Sequence, residues 1–192
     1  MFGGLDDAQW ATQSLCSEWT VRDVAGHLIT PMCVSTPRFA LGAVTSGGFS
    51  RYSVKVARRL AARPAAELVR TLHDQADHRF TPPGLGPLAP LTDITVHTRD
   101  AARPLGLDTT APLPVWTAVL DFLTSDQVRP IFVPRGRLTG LHFRATDQPW
   151  ESGQGPEVEG PSEALAMAVV GRSVALADLS GDGVPVLAAR SG

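Results

Sequence analysis

The chain has little cysteine, no surplus of positive charge and no long apolar run, and each shortage closes off a class of function. Two cysteines among 192 residues, Cys16 and Cys33, cannot build a disulfide framework. Neither lies in a Cys-x-x-Cys pair, so small buried hydrophobes in a reduced, cytoplasmic setting are the expectation. A formal net charge of −2 leaves no basic excess to neutralise phosphates, which argues against nucleic acid as a partner. No apolar stretch reaches spanning length, and Met1-Phe-Gly-Gly-Leu-Asp-Asp7 lacks the pattern of a secretion signal, so no membrane association is expected. Nucleotide-site glycine fingerprints are missing too. Gly153-Gln-Gly155 follows Trp150-Glu-Ser rather than an apolar strand, and no third glycine stands in register.

What is present is enough apolar material for a packed core: 43% hydrophobic and 6% aromatic, in a length that suits one large or two small domains. Residues 5–14 read as a short helix end. Thr20 with Asp23 three residues on resembles a capping box with Asp in place of Glu. It predicts a helix from Val21 to about Val44, with Val24, Leu28 and Met32 at helical spacing. Pro31 removes the hydrogen bond to the His27 carbonyl and predicts a kink there, and Pro37 is a second interruption. Thr45-Ser-Gly-Gly48 is turn chemistry. Further helices are expected over 50–62, 65–80, 91–103 and 114–126, with a long loop at 81–90 and a stop at Pro104 and Gly106. After about residue 130 the pattern changes: 138–145 alternates like a strand and 161–170 reads as a helix. The expected architecture is α+β, a helical domain over 1–130 and a small mixed α/β domain over 131–192.

Three residues draw the chemistry together: His27, Asp93 and His97. The run 93–99 fits a strand by alternation as well as a helix. On a helix, residues four apart are neighbours at about 6 Å and can share an ion. On a strand they lie roughly 13 Å apart and cannot. The helical surroundings and the bracket of Pro90 and Pro104 favour helix. If both segments are helical and pack together, two imidazoles and a carboxylate form a three-ligand metal site with an open position, the arrangement of a catalytic rather than a structural zinc. Spacing alone makes this a weak motif, because an acid and a histidine four apart are common.

The run Trp10…Cys16-Ser-Glu-Trp19-Thr-Val-Arg-Asp23-Val-Ala-Gly-His27-Leu28 resembles the signature of the mycothiol-dependent maleylpyruvate isomerase family, the actinobacterial branch of the DinB-like metal-binding four-helix bundles. Asp93, His97, Asp100, Arg103 and Gly106 resemble its second motif. The tail is similar to the family's small C-terminal α/β domain, at Leu141–Asp147, Gly155–Pro161, Gly171-Arg172 and Leu179–Gly183. The resemblance implies a DinB-like four-helix bundle with a truncated first helix. It implies a divalent metal, zinc by ligand type, held by His27, Asp93 and His97, with Asp93 standing where the family usually has Glu. It also implies mycothiol as the external thiol and a small conjugated molecule as substrate, in a monomer or homodimer. Arg172 matches a functional arginine of the family and is the candidate catalytic and cofactor-binding residue, as a contact for a substrate carboxylate or the thiol cofactor. A helix-capping surface arginine is an equal reading of Arg172. Asp23 reads as a cap and Asp100 as an orienting or solvated group. His73 and His78 read as solvated, and His142 as structural. A different metal enzyme on the same scaffold, such as a hydrolase or a tailoring enzyme, and a non-catalytic binding module are the alternatives.

Overall fold

The computed structural model describes residues 1–126 and 132–190 of the chain. They form a helical unit, Met1–Thr109, and a second unit, Thr110–Gly192, that carries a small sheet. The expected boundary at 130/131 lies outside the described residues. Among the described residues no helix is long and apolar enough to cross a membrane.

The helical unit begins with α1 (Asp7–Ala11), capped by a reciprocal pair between Asp6 and Gln9. The turn at 13–20 then leads into α2 (Val21–Leu28). Thr20 caps this helix as its sequence predicts: its hydroxyl accepts from the Asp23 backbone at 3.2 Å and the Asp23 carboxylate accepts from the Thr20 backbone at 2.9 Å.

The helix expected from Val21 to Val44, kinked at Pro31 and open to a split at Pro37, is instead three. After Leu28 the chain restarts as α3 (Thr30–Cys33) with Pro31 in its first turn, and again as α4 (Thr36–Thr45) with Pro37 in its first turn. Proline cannot give the backbone bond that would continue a helix through it, yet its fixed φ suits a new first turn. The kink expected beside His27 is therefore a break, and His27 sits in the last turn of α2.

Next come α5 (Phe49–Ala61), α6 (Ala65–Asp74) and α7 (Leu88–Ala102). The run 65–80 is shorter than expected, because Ala76 is exposed while Leu68 is fully buried. The 93–99 segment is helical, which removes the strand alternative. A 3-10 turn at Arg103–Leu105 and a left-handed Gly106 end α7 where the sequence places the stop.

The unit's core joins Trp10, Trp19, Val24, Ile29, Val56, Leu60 and Leu68. Helices α2 and α5 cross closely at Gly26. A Cβ there would stand 2.3 Å from the Ala57 carbonyl oxygen and 2.8 Å from the Ala61 nitrogen, so only glycine admits this approach. That crossing fixes the depth of α2, and so the placement of His27 one residue later.

The second unit contains α8 (Leu113–Thr124), strands β1 (His142–Ala145), β2 (Glu151–Gly153) and β3 (Glu157–Gly160), then α9 (Ser162–Val169) and α10 (Val184–Ala189). The sheet order is β2-β1-β3, with β2 antiparallel and β3 parallel to β1. Helix α9 packs on α8 and on the sheet, and Leu165 to Val169 are fully buried. Asp147 closes its first turn, accepting from the Ser162 backbone at 3.1 Å and from the Ser162 hydroxyl at 2.6 Å. Arg137, buried in the same unit, donates to the carbonyls of Ala168 and Arg190.

Candidate metal centre

Helices α2 and α7 pack against each other in the helical unit and bring together all three residues that the sequence singled out. Asp93 and His97 are successive positions on one face of α7. His27 meets them from α2: its Nε2 lies 3.1 Å from Asp93 Oδ2 and 3.3 Å from Oδ1. His97 Nε2 lies 3.5 Å from Asp93 Oδ1. Both imidazoles thus turn the same ring nitrogen toward one carboxylate, and the three ligand atoms stand within 4.8 Å of one another.

These separations suit a small divalent ion. Zinc bonds of about 2.0–2.2 Å to nitrogen and oxygen at a tetrahedral angle put neighbouring ligand atoms about 3.3–3.5 Å apart. The histidine side chains are 13% and 14% exposed, whereas Asp93 is 35% exposed, so the open edge of the cluster is the carboxylate side. The donor set of two nitrogens and one oxygen is that of a three-ligand zinc, and the residues present fit the ion.

Electrostatics agree with that chemistry. Burial pushes the Asp93 carboxyl up, but attraction and hydrogen bonding from His27, with a smaller attraction from His97, outweigh it and bring the pKa down from 3.8 to about 2. Asp93 is therefore an anion at neutral pH.

Each imidazole also has a partner on its far nitrogen. Ser53 of α5 places its hydroxyl 3.4 Å from His27 Nδ1. Asp100, fully buried and one turn along α7 from His97, places Oδ2 at 2.9 Å from His97 Nδ1. The Cys16 thiol donates to the same oxygen at 3.0 Å. Cys16 is held there because the Leu15 backbone N–H donates to the Asp100 carbonyl at 3.0 Å, stapling the 13–20 turn to the end of α7. Cys16, His97 and Asp100 make a second group with metal-ligand chemistry, sharing His97 with the first. Trp19 roofs the pair of imidazoles, its ring centroid 4.5 Å from His27 and 5.2 Å from His97. Its indole Nε1 is buried without a hydrogen-bond partner.

Sequence spacing makes Asp100 a neighbour of His97, three residues on along α7. It carries no sign of Ser53 or of the Cys16 contact, which depend on α5 and on the fold of the 13–20 turn. Arg172 belongs to the second unit. It stands at the N-cap position of the 3-10 turn Ser173–Asp178 without a side-chain capping bond, and its Nη1 donates to the Val170 carbonyl at 3.2 Å. Asp23 is the cap that the sequence indicates, and His73 and His78 are exposed. His142 lies on β1, 3.7 Å from both Glu151 and Glu157.

Comparison with curated proteins returns no match, and neither does comparison with solved structures. A family model does match: residues 1–102 fit the mycothiol maleylpyruvate isomerase N-terminal domain. That span is more than half of the chain and contains α2, α7 and every residue of the His27–Asp93–His97 cluster, so the protein belongs to the mycothiol maleylpyruvate isomerase family, with a DinB-like helical domain ahead of its small α/β unit.

Proposed function

We propose that the protein is a metal-dependent, mycothiol-dependent isomerase or thiol S-transferase acting on a small conjugated substrate, with His27, Asp93 and His97 as the ligands of a divalent ion, zinc by the chemistry of the set. The observation that carries this reading is the convergence of two imidazole Nε2 atoms on one carboxylate inside a domain of this family. Bound there, the ion supplies Lewis acidity that favours the thiolate form of an incoming thiol, the nucleophile that adds to a conjugated double bond.

The chain's own residues do the rest. The two histidines and Asp93 hold the charge in place. Trp19 covers the imidazoles on one side and keeps water from them, while the exposed edge at Asp93 leaves an approach for an exogenous ligand. Arg172 is the proposed guanidinium contact for a substrate carboxylate or the thiol cofactor. Isomerisation returns the thiol unchanged, whereas S-transfer retains it in the product. A cytoplasmic setting fits a reaction that needs a reduced thiol.

Metal analysis of the purified protein by mass spectrometry, beside His27→Ala and His97→Ala, is the first test. Near-stoichiometric metal that both variants lose supports the site, and mycothiol-dependent turnover of maleylpyruvate then tests the reaction. Protein that takes up no zinc on reconstitution overturns the proposal.

A further inference from the structure

Asp100 is a fully buried carboxylate, and the proposed function does not use it. Its Oδ2 receives the Cys16 thiol at 3.0 Å and faces His97 Nδ1 at 2.9 Å. Oδ2 already accepts from the thiol and stands as an acceptor toward the ring as well, so the imidazole proton belongs on Nδ1. A neutral imidazole has one lone pair, which is then left on Nε2. That is the nitrogen 3.5 Å from Asp93 Oδ1, on the side of His27.

His27 has a weaker version of the same arrangement. Its far nitrogen meets the Ser53 hydroxyl at 3.4 Å, and a hydroxyl can donate as well as accept. The hydroxyl by itself dictates no tautomer, and the nearest carboxylate to His27 is Asp93 at its Nε2, whereas the nearest to His97 is Asp100 at its Nδ1. The same logic keeps Cys16, His97 and Asp100 from holding an ion while Nε2 of His97 is engaged, because the lone pair needed on Nδ1 is absent.

We propose that Asp100 is a positioning residue that locks His97 in its Nδ1–H tautomer and aims the Nε2 lone pair into the His27–Asp93 cluster, with Cys16 as a second donor on the same oxygen. Its consequence for metal affinity rests on the metal reading above; the tautomer itself does not. A carboxylate behind a ligating histidine also raises the basicity of the ring, and removing such a partner typically costs about 10–100-fold in metal affinity.

The experiment records long-range proton–nitrogen NMR spectra of metal-free, histidine-labelled protein above the imidazole titration range, with His97 assigned by its loss in His97→Gln. The parent is expected to show protonated Nδ1 at His97. Asp100→Ala should move the proton toward Nε2, and both Asp100→Ala and Asp100→Asn should, in a zinc competition titration, weaken binding about 10–100-fold with helicity unchanged. Cys16→Ala should keep the parent tautomer.

The proposal is overturned by an Nε2–H tautomer in the parent, by persistence of Nδ1–H in Asp100→Ala, or by a shift produced by Cys16→Ala and not by Asp100→Ala. Should the Asp100 variants fail to fold, the parent tautomer still decides. A parent with Nδ1–H that takes up no zinc sinks the proposed function and leaves the positioning role standing. Zinc uptake with an Nε2–H parent does the reverse.

Discussion

Two clusters of histidine and carboxylate, one in each unit, show how similar residues come to different ends. On the sheet, His142 lies near Glu151 and Glu157, but Arg144 is there as well. Its guanidinium binds Glu157 through Nε at 3.0 Å and Nη2 at 3.2 Å, and it also pairs with Glu159. Hydrogen bonding from Arg144 draws the Glu157 carboxyl below its usual value. The negative charge is answered by a permanent cation on a neighbouring side chain, and nothing further is required. In the helical unit the positive partners of Asp93 are two imidazoles, whose charge is conditional on a proton. A divalent ion would satisfy the carboxylate and both ring nitrogens at once. What separates a structural ion cluster from a candidate metal centre is the source of the positive charge, more than the count of acids and histidines.

The comparison breaks most readily at the ligands. His27→Ala or His97→Ala should abolish near-stoichiometric zinc, a loss larger than the roughly 10–100-fold typical of a group that only orients a ligand. His142→Ala should leave the metal content unchanged. Equal losses from all three variants, read by mass spectrometry, would erase the distinction between the clusters.

Gly26→Ala is next. The new methyl meets the backbone of α5 rather than a movable side chain, so overpacking of about 1–3 kcal/mol is expected in chemical denaturation. Zinc affinity should fall with it, because His27 rides on the same turn. An unchanged denaturation midpoint would show that α2 is not held by this crossing.

A smaller effect is expected from acid. Asp93 has a folded pKa of about 2 against an ordinary 3.8, so its contribution to the stability of the metal-free protein is fully present above the ordinary value. It is lost as the pH falls from 3.8 to about 2. Asp93→Asn should flatten that limb of the stability profile, and parallel profiles for the two proteins would contradict it.

The smallest change should come from Arg144→Ala. It removes solvent-exposed pairs that salt already screens and should shift the melting temperature least of the set. A shift exceeding that of Gly26→Ala would mean that the sheet's ion cluster holds its unit together.

Much of the helical unit was legible because local rules operate there. The Thr20–Asp23 box marks the start of α2, Pro104 and Gly106 mark the end of α7, and apolar spacing identifies α5. The helix expected over 21–44 broke at Pro31 as well as at Pro37 because proline has two effects that a spacing pattern weighs equally. It can bend a helix that continues, or it can begin a new one, and the packing of α3 and α4 decides between them. The strand alternative for 93–99 could not be dismissed by pattern, since Thr95 and Val96 suit either state; in the fold the two adjacent residues are both buried, within a helix. Ser53 and Cys16 could not have been found, because neither stands at a fixed spacing from the histidine it serves.

The sequence by itself determined the choice of the three candidate ligand residues, the i,i+4 relation of Asp93 to His97, the cap that starts α2 and the membership in this family, all of which depend on residue type and short-range spacing. Tertiary structure alone decided that His27 meets the other two, that Asp100 and Cys16 stand behind His97, and that His142 ends in an arginine-balanced cluster. The first two outcomes depend on how closely α2, α5 and α7 approach one another, and the last on the pairing of β1 with β3. The helix approach is set by the absent side chain of Gly26 and by packing summed over the whole core, and short-range spacing does not encode it.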